Sequence, residues 1–175
     1  MRRRTLLTLT VALPSLALLA ACSDASSGGH GHDMPHELPL PSGMTDAPSP
    51  TYPVGTKVTV RADHMPGMDG AAATVTGVYD TWVYSVNYDP TDGSARVEGH
   101  QWVVQEELRD PKADDLPPGT RITIDADHAG GMKGAEGTVH STHSGPVYVV
   151  TYTPTDGGDQ VVNHRWLVES ELSPA

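Results

Sequence analysis

The chain has 175 residues and a formal net charge of −11 at neutral pH, from 22 acidic and 11 basic residues. That balance argues against a chain built to grip nucleic acid or anionic lipid head groups and suits one that attracts cations. Cys22 is the only cysteine, which excludes an internal disulfide, a Cys-ligated zinc site and, once Cys22 is lipidated, a thiolate-ligated blue-copper centre.

The first segment, residues 1–21, opens Met1-Arg2-Arg3-Arg4 and runs apolar from Leu6 to Ala21. It is too short and too abruptly ended for a comfortable membrane span, so it reads as an export signal. It ends Leu19-Ala20-Ala21-Cys22, which looks like a bacterial lipobox: cleavage before Cys22, then acylation of its thiol and new amino group. Loss of the signal leaves 8 basic residues against 22 acidic ones, a charge of −14. Lipid rather than charge would then hold the protein at the outer face of the cell membrane.

Residues 22–52 are rich in Gly, Ser, Pro, His and Asp without a sustained period, and read as a disordered tether. Within it, His30, His32, Met34 and His36 form a compositional metal signal of low specificity, and are auxiliary metal candidates.

Residues 53–108 and 117–172 are two copies of one unit, joined by a short charged linker, 109–116. Gly55–Leu108 and Gly119–Leu172 align without a gap at an offset of 64, with 26 of 54 positions identical. Inside each copy the period is two. Val58, Val60 and Ala62 alternate with polar neighbours, as do Trp82, Tyr84, Val86 and Tyr88, and the second copy repeats both patterns. Ala73–Val78 and His100–Val104 offer two further strands. Asp89-Pro90-Thr91-Asp92-Gly93 and Thr153-Pro154-Thr155-Asp156-Gly157 supply turn chemistry, so the last two strands of each copy form a hairpin. Each copy closes with one helical turn at Glu107-Leu108 or Glu171-Leu172. The expected fold is all-β: two tandem small SH3-like β-barrels after the tether, each near the lower size limit for independent folding.

A duplicated domain must keep its apolar pattern, but folding does not require a His and a Met to survive in both copies. The loop after the first strand reads Asp63-His64-Met65-Pro66-Gly67-Met68, answered by Asp127-His128-Ala129-Gly130-Gly131-Met132. A Met in a glycine-rich loop is out of phase with any apolar period, which argues against core filling. Imidazole and thioether together, without thiolate, favour copper as Cu(I) over zinc, iron or calcium. His100 and His164 each precede a Trp by two positions, placing imidazole and indole on one strand face. Either that pair is buried or the His sits at the rim beside the Met loop. In the second case His64, Met65, Met68 and His100 form one mixed site, and His128, Met132 and His164 a weaker one. His140 and His143 occur only in the second copy and read as surface residues or auxiliary ligands. Glu106-Glu107 reads as a solvated face. No nucleophile elbow, phosphate loop or His-Glu-x-x-His stands in the chain, so no enzyme is expected.

Taken in order and in duplicate, Ala-Asp-His-Met-Pro-Gly-Met-x-Gly-Ala, Tyr-x-Val-x-Tyr-x-Pro-Thr-Asp-Gly and His-x-Trp-Val-x-x-x-Glu-Leu resemble the duplicated domain of YdhK-like and CopL-like copper-binding bacterial lipoproteins. The resemblance implies an exported, membrane-tethered protein that binds copper and protects the cell from copper excess. Carried over, the His-Met-x-x-Met loop falls on His64, Met65 and Met68 and the His-x-Trp on His100. The second copy matches at His128, Met132 and His164 and departs at Ala129. Sequestration or hand-over to a copper exporter is the expected role. The alternative is a surface SH3-like module that binds cell wall or a protein partner, with Trp82, Trp102 and Trp166 lining a groove.

Overall fold

A computed structural model describes residues 39–175. The segment read as an export signal, Cys22 with its expected lipidation, and the His30, His32, Met34 and His36 cluster lie outside the described residues. The described residues are all-β, as their period of two requires. Seven strands form one sheet system: β1 (Lys57–Val60), β2 (Ala72–Asp89), β3 (Val97–Val104), β4 (Arg121–Thr123), β5 (Glu136–Thr153), β6 (Val161–Val168) and β7 (Leu172–Pro174). Single 3-10 turns at Gln105–Glu107 and Glu169–Glu171 close the two repeats. The described residues contain no helix long and apolar enough to cross a membrane.

The two strands expected at 73–78 and 82–88 are one. β2 runs unbroken for 18 residues, as does β5, because nothing between Tyr79 and Thr81 forces a turn. The two long strands pair antiparallel over their whole length, from Ala72 opposite Thr153 to Asp89 opposite Glu136. With the repeats offset by 64, that register relates them by a pseudo-twofold: Ala72 corresponds to Glu136, and Asp89 to Thr153.

A strand of 18 residues reaches past a single small barrel, so its two ends serve different cores. One core packs Val58, Val60, Met68 and Val75 of the first repeat against Tyr148, Val150, Leu167 and Leu172 of the second. The other packs Tyr84, Val86 and Val103 against Ile122, Ile124 and Met132. Between them Val83, Trp102, Val104, Val147, Val149 and Trp166 form a third cluster. There are thus two outer cores, as two barrels require, but each is built from half of either repeat.

The end of the segment read as tether is ordered. Between its pairings with β1 and β3, β2 exposes backbone groups at Val78–Asp80, and residues 45–47 run along them. Ala47 N–H donates to Val78 O at 3.1 Å and Asp80 N–H to Thr45 O at 2.9 Å. The incoming chain satisfies groups a bare edge would leave unpaired.

Candidate metal centre

The loop after β1 turns tightly: Met68 N–H reaches Met65 O at 3.2 Å and Ala71 N–H reaches Met68 O at 3.0 Å. Gly67 sits at φ +71°, and the Asp-Gly hairpin of the other repeat docks on it, with Thr155 N–H donating to Gly67 O at 2.9 Å. Thr91 N–H donates likewise to Gly131 O at 2.9 Å. A Cβ on Gly67 would lie 2.7 Å from the Asp156 carboxylate. Gly67→Ala is therefore expected to cost about 1–3 kcal/mol and to displace the His64 loop, read by urea denaturation. Gly130 has no such φ and an open approach of 3.8 Å to Asp92, so Gly130→Ala should stay within about 0.5 kcal/mol of the parent.

His100 and Trp102 do not share a strand face. Along β3, Val97, His100 and Val103 stand opposite Tyr88, Val86 and Tyr84, three residues for every two on β2. β6 repeats this with Val161, His164 and Leu167 opposite Tyr152, Val150 and Tyr148. Each extra residue is a bulge that reverses the alternation. Trp102 and Trp166 are thereby sent into the central cluster, while each His faces the loop of the opposite repeat.

The four imidazoles meet across the repeats. His64 lies against His164, with ring centroids 6.3 Å apart, and His100 against His128, 6.4 Å apart. All four line one cavity of about 390 Å³, together with Met65, Ala129, Asp63 and Arg165. The within-repeat grouping of His64 with His100 and of His128 with His164 is thus corrected: the exchange of strands between repeats swaps the partners.

Two carboxylates, Glu107 buried and Glu171 half-buried, hold two of the rings. His64 Nε2–H donates to Glu171 Oε1 and His128 Nε2–H to Glu107 Oε1, both at 2.7 Å. The second oxygen of each Glu accepts an indole N–H, Trp102 on Glu171 at 2.9 Å and Trp166 on Glu107 at 3.0 Å. It also accepts its own turn's backbone N–H, from Val168 at 2.9 Å and Val104 at 3.2 Å. Glu107 is buried, so the solvated face expected at Glu106-Glu107 is corrected for Glu107. Recurrence of Glu107 and Glu171 at matching repeat positions was the available signal.

A carboxylate on Nε2 leaves Nδ1 of that ring as the lone-pair donor. His64 Nδ1 is buried without a hydrogen-bond partner, and so are His100 Nε2 and His164 Nε2. Burial first, and then the neighbouring imidazoles, pushes His100 and His164 down to about 4. Both rings are therefore neutral at pH 7 and present lone pairs. An unpaired buried nitrogen costs about 1–3 kcal/mol, and three around one cavity call for a ligand. Among the described residues no three His, Cys, Asp or Glu side chains already close round a single point.

The methionines divide. Met68 and Met132 are fully buried in the two outer cores and do not line the four-imidazole cavity. The premise that a loop Met is not core filler is thus corrected: the tight turn folds each side chain back under its own loop. Met65 does line the cavity, and its sulfur accepts from the Tyr152 hydroxyl at 4.0 Å. His140 and His143 are exposed, and His143 stacks edge-on to Trp102 outside the cavity. An aromatic groove is not formed, since Trp102 and Trp166 are buried and tied to the glutamates.

The comparisons with known proteins agree with the duplication. The family model described as "Protein of unknown function (DUF1541)" matches twice, at residues 54–105 and 118–169. The chain belongs to the DUF1541 family. The YdhK protein of Bacillus subtilis strain 168, a DUF1541 relative described as uncharacterised, is 41% identical over 169 residues, covering 89% of this chain and 82% of the relative. A crystal structure of YdhK superposes with a TM-score of 0.77 at 45% identity, covering 79% of this chain and 95% of that one. The solution structure of the YdhK C-terminal domain gives 0.67 at 48% identity, covering 70% and 92%.

Proposed function

We propose that this DUF1541 chain binds copper, as Cu(I), in the four-imidazole cavity. On this reading it is an exported lipoprotein, held at the membrane through Cys22, that sequesters copper or passes it to an exporter and so contributes to copper tolerance. Three buried, partnerless ring nitrogens, on His64, His100 and His164, carry the reading, and all three residues line the one cavity. The choice of metal rests on donor chemistry. Imidazoles alone suit zinc, copper or nickel, but Met65 adds a soft thioether, and zinc prefers a closed tetrahedron of ligands. The carboxylates on Nε2 of His64 and His128 orient the rings and raise their basicity, as outer-shell partners of metal-bound histidines do.

The test is a Cu(I) competition titration against a chromogenic chelator. The full chain would carry Cys22→Ser, His30→Ser, His32→Ser, Met34→Ser and His36→Ser, so that this cluster and the thiol contribute no ligand. Tight binding is expected, and His64→Ala with His128→Ala should weaken it by about 100-fold or more, about 2.7 kcal/mol. Unchanged capture in the double variant would remove the cavity from consideration.

A further inference from the structure

The four imidazoles stand as two pairs, and each pair joins one ring from either repeat. We infer that the cavity takes two Cu(I) ions, one bridged by His64 and His164 and one by His100 and His128. The inference rests on the copper reading above and adds stoichiometry, ligand pairing and an order of filling.

Ring spacing is the first support. With a metal–nitrogen distance of about 2.0 Å, two imidazoles facing each other across one ion have ring centres roughly 6.3 Å apart, whereas two ligands on a tetrahedral ion have them roughly 5 Å apart. The observed 6.3 and 6.4 Å match the linear case. The rings are tilted by 42° and 38°, which linear coordination tolerates because each can rotate about the nitrogen–metal axis. Linear two-coordination suits Cu(I), a filled-shell ion, and not Cu(II) or Zn(II).

The partnerless nitrogens fall in the same pattern. His64 Nδ1 and His164 Nε2 belong to one pair, one from each ring. In the other pair His100 Nε2 is partnerless, and Glu107 occupies Nε2 of His128, leaving Nδ1 as that ring's lone-pair donor. Each pair also has its own carboxylate, Glu171 holding His64 of the first and Glu107 holding His128 of the second.

The pairs are not equivalent. Met65 follows His64, and its sulfur meets the Tyr152 hydroxyl, while the Tyr152 ring lies edge-on to His164 at 5.8 Å. The sulfur therefore sits on the His64–His164 side, where it adds a weak, soft contact to the first ion beside its two nitrogens. Ala129 at the matching position gives the second ion none.

In the same substituted full chain, two equivalents of Cu(I) are expected to titrate in sequence. Met65→Leu should weaken only the tighter one, by about tenfold, about 1.4 kcal/mol. His164→Ala should remove the tighter equivalent and His100→Ala the weaker, each leaving one. X-ray absorption on the doubly loaded chain needs no variant and should report two nitrogens per copper, with sulfur on half of the ions. One equivalent in total, or three to four nitrogens per copper, would overturn the two-ion arrangement while leaving the copper reading standing. No copper bound by the chain before any cavity substitution would overturn the copper reading itself.

Discussion

Replacing Glu107 with Ala is expected to destabilise the protein by about 3–5 kcal/mol, because it strips three donors of their acceptor inside the fold. Those donors are Trp166 Nε1–H, His128 Nε2–H and Val104 N–H. Trp166 is completely buried and cannot turn to water. The two donating side chains belong to the second repeat and the carboxylate to the first, so the contact also ties the repeats together. Glu171→Ala breaks the matching set and should cost less, since its side chain is 14% exposed against 7% for Glu107. Glu107→Gln separates stability from binding. A carboxamide oxygen still accepts from Trp166 and Val104, but its NH₂ cannot accept the His128 proton, so His128 loses its fixed tautomer. Most stability should therefore remain, while Cu(I) affinity falls by about 10–100-fold. Urea denaturation and chelator competition read the two effects. An Ala variant within about 1 kcal/mol of the parent would refute the buried network.

The metal-free protein should also lose several kcal/mol of stability on acidification from about pH 6.5 to about pH 4. His100 and His164 titrate near 4 in the folded chain against 6.5 when unfolded. In that window the unfolded chain binds more protons, so stability rises with pH and is lost as pH falls. Below about 4 the loss from these two groups is complete. Glu171 adds to the trend: burial raises its carboxyl, but the bonds from His64, Val168 and Trp102 outweigh it and hold it low. Denaturation midpoints between pH 7 and pH 4 measure this. Replacing His100 or His164 by Gln should flatten the curve, and a pH-independent midpoint would contradict the burial of neutral imidazoles.

The strand alternation, the Asp-Gly hairpins and the closing turns at Glu107 and Glu171 are local, and local chemistry made them legible. Gly93 N–H closing on Pro90 O at 3.3 Å is the turn that Pro followed by Asp-Gly predicts. The sharing of cores was not legible, because nothing short-range distinguishes a strand that returns to its own repeat from one that crosses to the other. Recurrence did single out His64, His100, His128 and His164, all of which reach one cavity. Their pairing was hidden by the exchange of strands, and their facing by bulges that alternation cannot foresee. Met68 and Met132 misled for a related reason: a tight loop can fold its own side chain into the core, so lying out of phase does not keep a residue at the surface.

On the proposed function, copper lies among these four imidazoles. Anomalous scattering at the copper edge from crystals loaded with Cu(I) under reducing conditions locates the metal directly. Two peaks are expected inside the cavity, one between His64 and His164 and one between His100 and His128. Copper found only on surface residues, with the cavity empty, would contradict it.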